Sequence, residues 1–279
     1  MAALLALLSS LLFGTGDYIG GHLSKRHHVI AVAGGAQVIG FFLGLLILLG
    51  SGTWEAPSLS WNGYFLPGLC AGLIGFAGLN TFFAALATGR MGVVSPIASL
   101  SVMIPLFYSI AKGERPSAMA VAGMAIAIVG AFCGSGPELR GGLSPKPIIL
   151  AVLTAIFFGT AVLFLTIGAQ SNVLLTTVSM RLPNALIMVL LALRFRTLGN
   201  FSSMSVGILI VCGAADYLAN ITLAQASTMG LVSAAVVLSS LYPVVTTLLA
   251  FKFSHERLHK IQYMGILLAI AGVSMISLG

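Results

Sequence analysis

The sequence predicts an all-α membrane protein in which ten transmembrane helices form two inverted five-helix repeats, residues 1–140 and 141–279. Three observations lead there. The chain is 58% hydrophobic and 7% charged, so it lacks the polar skin that a water-soluble globule needs. Its apolar residues gather into ten stretches, each close to the roughly 20 residues that cross a hydrocarbon core as a helix. The two halves also carry one hydrophobic script, the sign of a transporter built from related bundles around a central site.

The first half supplies spans 1 to 5, at residues 2–22, 29–50, 63–86, 92–111 and 117–134. Span 1 lacks both the basic start and the small-residue cleavage site of a signal peptide, so it is expected to be a retained helix. Gly40/Gly44, Gly68/Gly72 and Gly130/Gly134 provide the small-residue spacings that let helix backbones approach inside a bilayer. Pro105 falls within span 4. The second half supplies spans 6 to 10, at 147–169, 172–193, 203–226, 229–251 and 261–278, with Pro183 in span 7 and Pro243 in span 9.

The script itself is specific. Ala87-Thr88-Gly89-Arg90-Met91-Gly92-Val93-Val94-Ser95 recurs as Ala226-Ser227-Thr228-Met229-Gly230-Leu231-Val232-Ser233. Glu114-Arg115 with Gly123 and Gly130 recurs without a gap as Glu256-Arg257 with Gly265 and Gly272, an offset of 142. Because five spans is an odd number, the two halves must insert in opposite senses, the arrangement that supports alternating access. Basic residues orient them. Lys25, Arg26, Arg90, Arg140, Lys146, Arg194, Arg196, Lys252, Arg257 and Lys260 fall in connections 1–2, 3–4, 5–6, 7–8 and 9–10, against only Lys112 and Arg115 in the others. The positive-inside rule then places both termini outside the cytoplasmic (inner) membrane.

The Glu-Arg pair opening the last helix of each half, with Gly-x6-Gly running down that helix, resembles the drug/metabolite transporter superfamily of the ten-helix EamA type. The motif reads Gly113-Glu114-Arg115 through Gly123 and Gly130, then His255-Glu256-Arg257 through Gly265 and Gly272. Phe13-Gly14-Thr15 and Phe158-Gly159-Thr160 open the two halves in the same manner. The resemblance covers essentially the whole chain. It implies a secondary transporter of small metabolites, often an amino-acid exporter, with a cavity lined by helices 1, 3, 4, 6, 8 and 9 and a scaffold of helices 5 and 10. One departure is visible: Pro105 stands nine residues before Glu114 and Pro243 thirteen before Glu256, so helix 4 or its exit is expected to be shorter by one turn.

Three charges lie within spans: Asp17, Arg181 and Asp216. Each costs on the order of 3 kcal/mol to insert near a helix centre, so each should face a polar interior and have a partner. They are candidates for substrate binding, Arg181 for an anionic group such as a carboxylate; the alternative is an Asp–Arg pair that only ties helices together. Asn80 and Asn220 align if Gly89-Arg90 is an insertion, and an amide at equal depth in helices 3 and 8 could bind a polar group from two sides or simply bond between helices. Asp216 and Asn220 share a helix face, and Tyr217 and Tyr242 lie beside these candidates. Pro105 and Pro243 are expected at kinks that act as hinges or cavity walls.

His255-Glu256-Arg257-Leu258-His259 matches His-Glu-x-x-His, the spacing with which zinc proteases hold a metal, so an intramembrane metalloprotease is the rival reading. A structural membrane protein without transport activity is another. Against zinc, Glu256-Arg257 repeats Glu114-Arg115, where Gly113 and Ser117 stand in place of the histidines, and a glutamate at a helix start suits the helix dipole. Neither a metal nor another cofactor is expected. Cys70, Cys133 and Cys212 all lie within spans and predict no disulfide framework. The net charge of +7 is scattered singly between spans, which suits lipid head groups and not nucleic acid. No phosphate-binding Gly-x4-Gly-Lys-Ser/Thr loop is present, so coupling is expected from protons on Asp17 or Asp216, or transport is passive.

The charge asymmetry makes the orientation testable. A reporter active only in the periplasm, fused after Gly279, should be active, and a cytoplasm-only reporter silent; the reverse pattern contradicts the assigned orientation.

Overall fold

The computed structural model describes residues 1–88, 91–134, 145–195, 201–253 and 259–278, and these form helices joined by short connections. The first half contains α1 (Ala2–Ser24), α2 (Val29–Ser51), α3 (Phe65–Thr88), the broken α4 (α4a Met91–Ser99 and α4b Met103–Ala111) and α5 (Ala118–Gly134). The second contains α6 (Pro145–Ala169), α7 (Val173–Phe195), α8 (Ser203–Met229), the broken α9 (α9a Val232–Ser239 and α9b Tyr242–Phe253) and α10 (Lys260–Leu278). Seven segments are long and apolar enough to span a membrane alone; Ile97–Ala111, Ala118–Cys133 and Lys260–Ile276 are shorter apolar helices. These ten segments fall where the apolar stretches predict.

Local chemistry marks several helix ends. Gly52, at φ +63°, stops α2 in the left-handed conformation that glycine adopts without a Cβ clash. The Ser202 hydroxyl accepts from Ser205 N–H at 3.3 Å at the start of α8. The starts of α5 and α10 are repeat mates with different caps: Ser117 Oγ accepts from Ala120 N–H at 3.0 Å, while His259 donates its backbone N–H to Gln262 Oε1 at 2.7 Å. Arg90, Arg140, Arg196, His255, Glu256, Arg257 and Leu258 lie outside the described residues.

Packing between the halves shows the inverted two-fold directly. Helix α3 packs on α6 and α7, and its mate α8 packs on α1 and α2. A Cβ on Gly130 would meet the Ala269 nitrogen at 2.4 Å and the Gly265 carbonyl at 2.9 Å; one on Gly123 would meet the Gly272 carbonyl at 2.9 Å. Thus Gly123 faces Gly272 while Gly130 faces Gly265, so α5 and α10 run antiparallel. Two repeat mates that pack antiparallel must be related by an axis in the membrane plane. With lipid as solvent, such close backbone contact supplies the association energy that burial from water supplies elsewhere.

The breaks in α4 and α9 are built by proline and received by glycine. Pro105 and Pro243 lack the N–H that would bond to the carbonyls of Ser101 and Ser239, one turn earlier. A 3-10 turn, Leu100–Val102, interrupts α4, and residues 240–241 interrupt α9. The Ser101 carbonyl and Ile104 press on Gly159 of α6, and the Tyr242 carbonyl and Val245 press on Gly14 of α1. Those glycines belong to the two Phe-Gly-Thr triplets, so each half's first helix receives the broken helix of one half through the same residue type. By these contacts Ser101/Ile104 correspond to Tyr242/Val245, and Pro105 and Pro243 both stand in the first turn after their breaks, in α4b from Met103 and α9b from Tyr242. Helix α4b ends at Ala111, three residues before Glu114, and α9b is described as far as Phe253.

Glu114 differs from expectation. Its carboxylate does not cap its own following helix but accepts Val232 N–H at 2.5 Å and Ser233 N–H at 3.0 Å, capping α9a of the other half. Trp61 stacks on Phe164 with ring centroids 5.8 Å apart, a second bridge between halves.

The α5–α10 contact leaves no room for a single added methyl group. Gly130→Ala should destabilise the purified protein by about 1–3 kcal/mol, seen as a lower thermal midpoint in detergent. Gly207→Ala, where an added Cβ meets nothing within 4 Å, should not lower it; equal effects of the two would contradict the packing described.

Candidate functional site

A cavity of about 90 Å³ lies where the two repeats meet, near the middle of the helices. All helices except α5 and α10 reach it: Asp17 from α1, Gln37 from α2, Leu79 from α3, Pro105 from α4b, Phe158 from α6, Arg181 from α7, Asp216 and Asn220 from α8, and Tyr242 from α9b. This agrees with the scaffold role expected for helices 5 and 10, and adds helices 2 and 7 to the wall.

Arg181 is the largest fully buried side chain, at 1% exposure. It reaches this depth because both terminal nitrogens find acceptors. Nη1 lies 2.9 Å from Asp216 Oδ2 and also donates to Gln37 Oε1, and Nη2 donates to the Asp216 carbonyl at 3.4 Å. Gln37 Nε2 donates to the same Asp216 oxygen at 3.2 Å, while Gln37 Oε1 receives Asn184 Nδ2 at 3.0 Å. The two faces of the Gln37 amide are therefore fixed by an acid on one side and two donors on the other. Nε has no partner and lies beside Gly40, 3.4 Å from where an added Cβ would stand.

The neighbours of this centre follow from helix geometry. Asn220 lies one turn after Asp216 and donates Nδ2 to the Asp216 carbonyl at 2.8 Å. Tyr217 is fully buried behind the guanidinium, its ring centroid 5.8 Å from Arg181 Cζ and its hydroxyl 3.3 Å from Thr177 Oγ1. Gly40 and Gly44 of α2 leave room for that ring. Pro183 removes the intrahelical donor of the Ser179 carbonyl, and α3 closes on this stretch of α7, with a Cβ on Gly72 landing 2.0 Å from the Met180 carbonyl.

Of the residues the sequence singles out, Asp17, Arg181, Asp216, Asn220, Tyr242 and Pro105 line the cavity together. Asn80, Tyr217 and Pro243 do not. Asn80 donates to the Phe76 carbonyl at 2.8 Å, the same one-turn-back bond that Asn220 makes to Asp216, but on α3 it is Leu79 that lines the cavity. The amide is thus present from one side only. Arg181 lines the cavity with its terminal nitrogens bonded to Asp216 and Gln37. Gln37 and Asn184 join the site without having been anticipated. Gln37 is the single polar side chain in the apolar stretch 29–50, which is the signal that would have found it.

His259 of the His-Glu-x-x-His pattern is an exposed helix-start residue, as described above, and the other four positions lie outside the described residues. Among the described residues no group of three His, Cys, Asp or Glu side chains could hold a metal ion.

Comparison with known proteins agrees with this architecture. The EamA-like transporter family model matches residues 1–135 and 145–278, one copy on each half. The chain belongs to the EamA-like transporter family. It is therefore a multi-pass membrane protein and a transporter of small substrates. It is 26% identical over 131 residues to an uncharacterized protein of Methanocaldococcus jannaschii, a match spanning 47% of this chain and 96% of that relative. A crystal structure superposes with a TM-score of 0.78 over 99% of this chain and 96% of the other, at 19% identity, which shows a shared fold.

Breaking the buried pair at one end should cost more than removing it whole. Arg181→Met alone leaves Asp216 uncompensated and should destabilise the protein by about 3–5 kcal/mol, whereas adding Asp216→Asn should recover much of that loss. A double variant no more stable than Arg181→Met would show that the two side chains are not energetically paired.

Proposed function

We propose that this transporter exports a small polar or amphipathic metabolite, an amino acid or related compound, across the cytoplasmic (inner) membrane by alternating access, with both termini outside. The repeats 1–140 and 141–279 serve as the two moving bodies. The observation that carries the reading is the placement of the Arg181–Asp216 centre in a cavity at the repeat interface, walled by both broken helices. A site at the interface of inverted repeats is exchanged between the two membrane faces by the rocking of one repeat on the other. Pro105 and Pro243, beside the breaks in α4 and α9, serve as hinges for that motion.

Binding rests on Asp17, Asp216, Asn220 and Tyr242, which present polar atoms to the cavity, with Arg181 and Tyr217 positioning Asp216 from behind. Asn80, held by its own helix, supports α3 at the same depth. Asp17 and Asp216 are the carboxylates available to carry a coupling proton. Among the described residues of the cavity wall they are the only acids.

The test is flux in sealed vesicles. Purified protein reconstituted in liposomes loaded with a radiolabelled amino-acid mixture should release label faster than empty liposomes. Asp216→Asn should reduce that release roughly tenfold or more while the helical circular-dichroism signal persists, since a charge-assisted hydrogen bond in the site is lost. Undiminished release by the folded variant would remove Asp216 from the transport mechanism.

A further inference from the structure

The described cavity wall holds one more acid than base. Its described charged lining residues are Asp17, Arg181 and Asp216, two acids and one base. Arg181 is consumed by Asp216 and Gln37, with its remaining Nε beside Gly40 of α2. Asp17 is nine-tenths buried, at 8% exposure, and has no hydrogen-bond or ion-pair partner among the described residues. Tyr242, also at 8% exposure, brings a hydroxyl with no partner to the same cavity. A carboxylate left alone at this depth is costly, and no basic residue of the described wall is free to compensate it.

We propose that the occupant supplies the missing positive charge: the substrate class is a small organic amine, bound as its ammonium between Asp17, the free oxygen of Asp216 and the Tyr242 hydroxyl. The inference rests on this cavity being the transport site. The rest of the wall suits the rest of such a molecule. Phe13 and Tyr242 meet edge to face with centroids 6.3 Å apart, and Phe158 stands across the cavity, so aromatic faces are present beside the acids, where they attract a cation and cover an apolar body. A carboxylate group, by contrast, meets no uncommitted cation in the described wall. An amine is therefore preferred over the corresponding amino acid, and both over the corresponding acid.

Four compounds sharing one aryl-ethyl body test this: 2-phenylethylammonium, phenylalanine, 3-phenylpropionate and 2-phenylethanol, each titrated against purified protein by calorimetry and by competition for vesicle flux. The ammonium should bind at least roughly tenfold more tightly than the alcohol, the value of a hydrogen bond to a charged group. Asp17→Asn should erase that preference, and Asp17→Glu should retain it. Equal binding of ammonium and alcohol overturns the inference, since it shows that Asp17 is neutral in the occupied cavity. If phenylalanine or phenylpropionate binds and moves while the ammonium does not, the transport site stands and the amine preference falls. If none of the four binds, both the amine inference and the assignment of this cavity fall. If Asp17→Asn does not fold, loss of the ammonium preference in Tyr242→Phe supports the inference, and its persistence there and in Asp17→Glu under competing alcohol contradicts the proposed contacts.

Discussion

A guanidinium in the middle of a membrane protein has to be answered by acceptors, and much of this structure can be understood as that answer. Arg181 sits on α7 at the place where α7 meets α2, its repeat mate, so the helix pair that crosses the pseudo-two-fold axis carries the charge. Gln37 reaches it from the mate helix, and Asp216 reaches it from α8. Glycines make these approaches possible: Gly40 and Gly44 admit Tyr217 behind the guanidinium, and Gly72 brings α3 against the Met180 carbonyl beside it. Bilayer association through small residues and a polar centre that needs close acceptors are thus two aspects of one packing solution.

The two-fold governs the backbone more strictly than it governs chemistry. Gly14 and Gly159 receive the broken helices in the same manner, and Gly123 and Gly130 pair with Gly272 and Gly265 reciprocally. Side chains at the centre are not matched: Arg181 faces Gln37, and Asp216 has no acidic counterpart on α3, where Gly75 and Leu79 line the cavity. An inverted repeat needs equivalent backbones so that two states have similar energies, whereas a bound molecule has no two-fold of its own and needs an asymmetric wall.

The parts of the fold legible in the sequence are those with a periodic or compositional origin. Ten apolar stretches became helical segments because a helix satisfies its backbone polar groups within one segment in lipid, and stretches of about 20 residues have the length for it. Asp17, Arg181 and Asp216 were conspicuous because charge inside an apolar span has few purposes. Register was less legible. Asn80 matches Asn220 by residue type, yet on α3 it is Leu79 that lines the cavity, and a one-residue rotation of about 100° carries the Asn80 amide off the site. Gln37 was passed over because a neutral amide lacks the energetic signature of a charge, although its isolation in span 2 was visible. The capping of α9a by Glu114 depends on how connections from opposite halves meet, which no local pattern encodes.

The central claim is that the Arg181–Asp216 cavity is open to one membrane face and then the other. Val162 lines that cavity from α6 without touching the ion pair. A single cysteine at Val162, in a chain with Cys70, Cys133 and Cys212 replaced, should react with a membrane-impermeant thiol reagent added to either side of right-side-out or inverted vesicles, and transported substrate should slow both reactions. Labelling from one side only, unaffected by substrate, would contradict alternating access through this cavity.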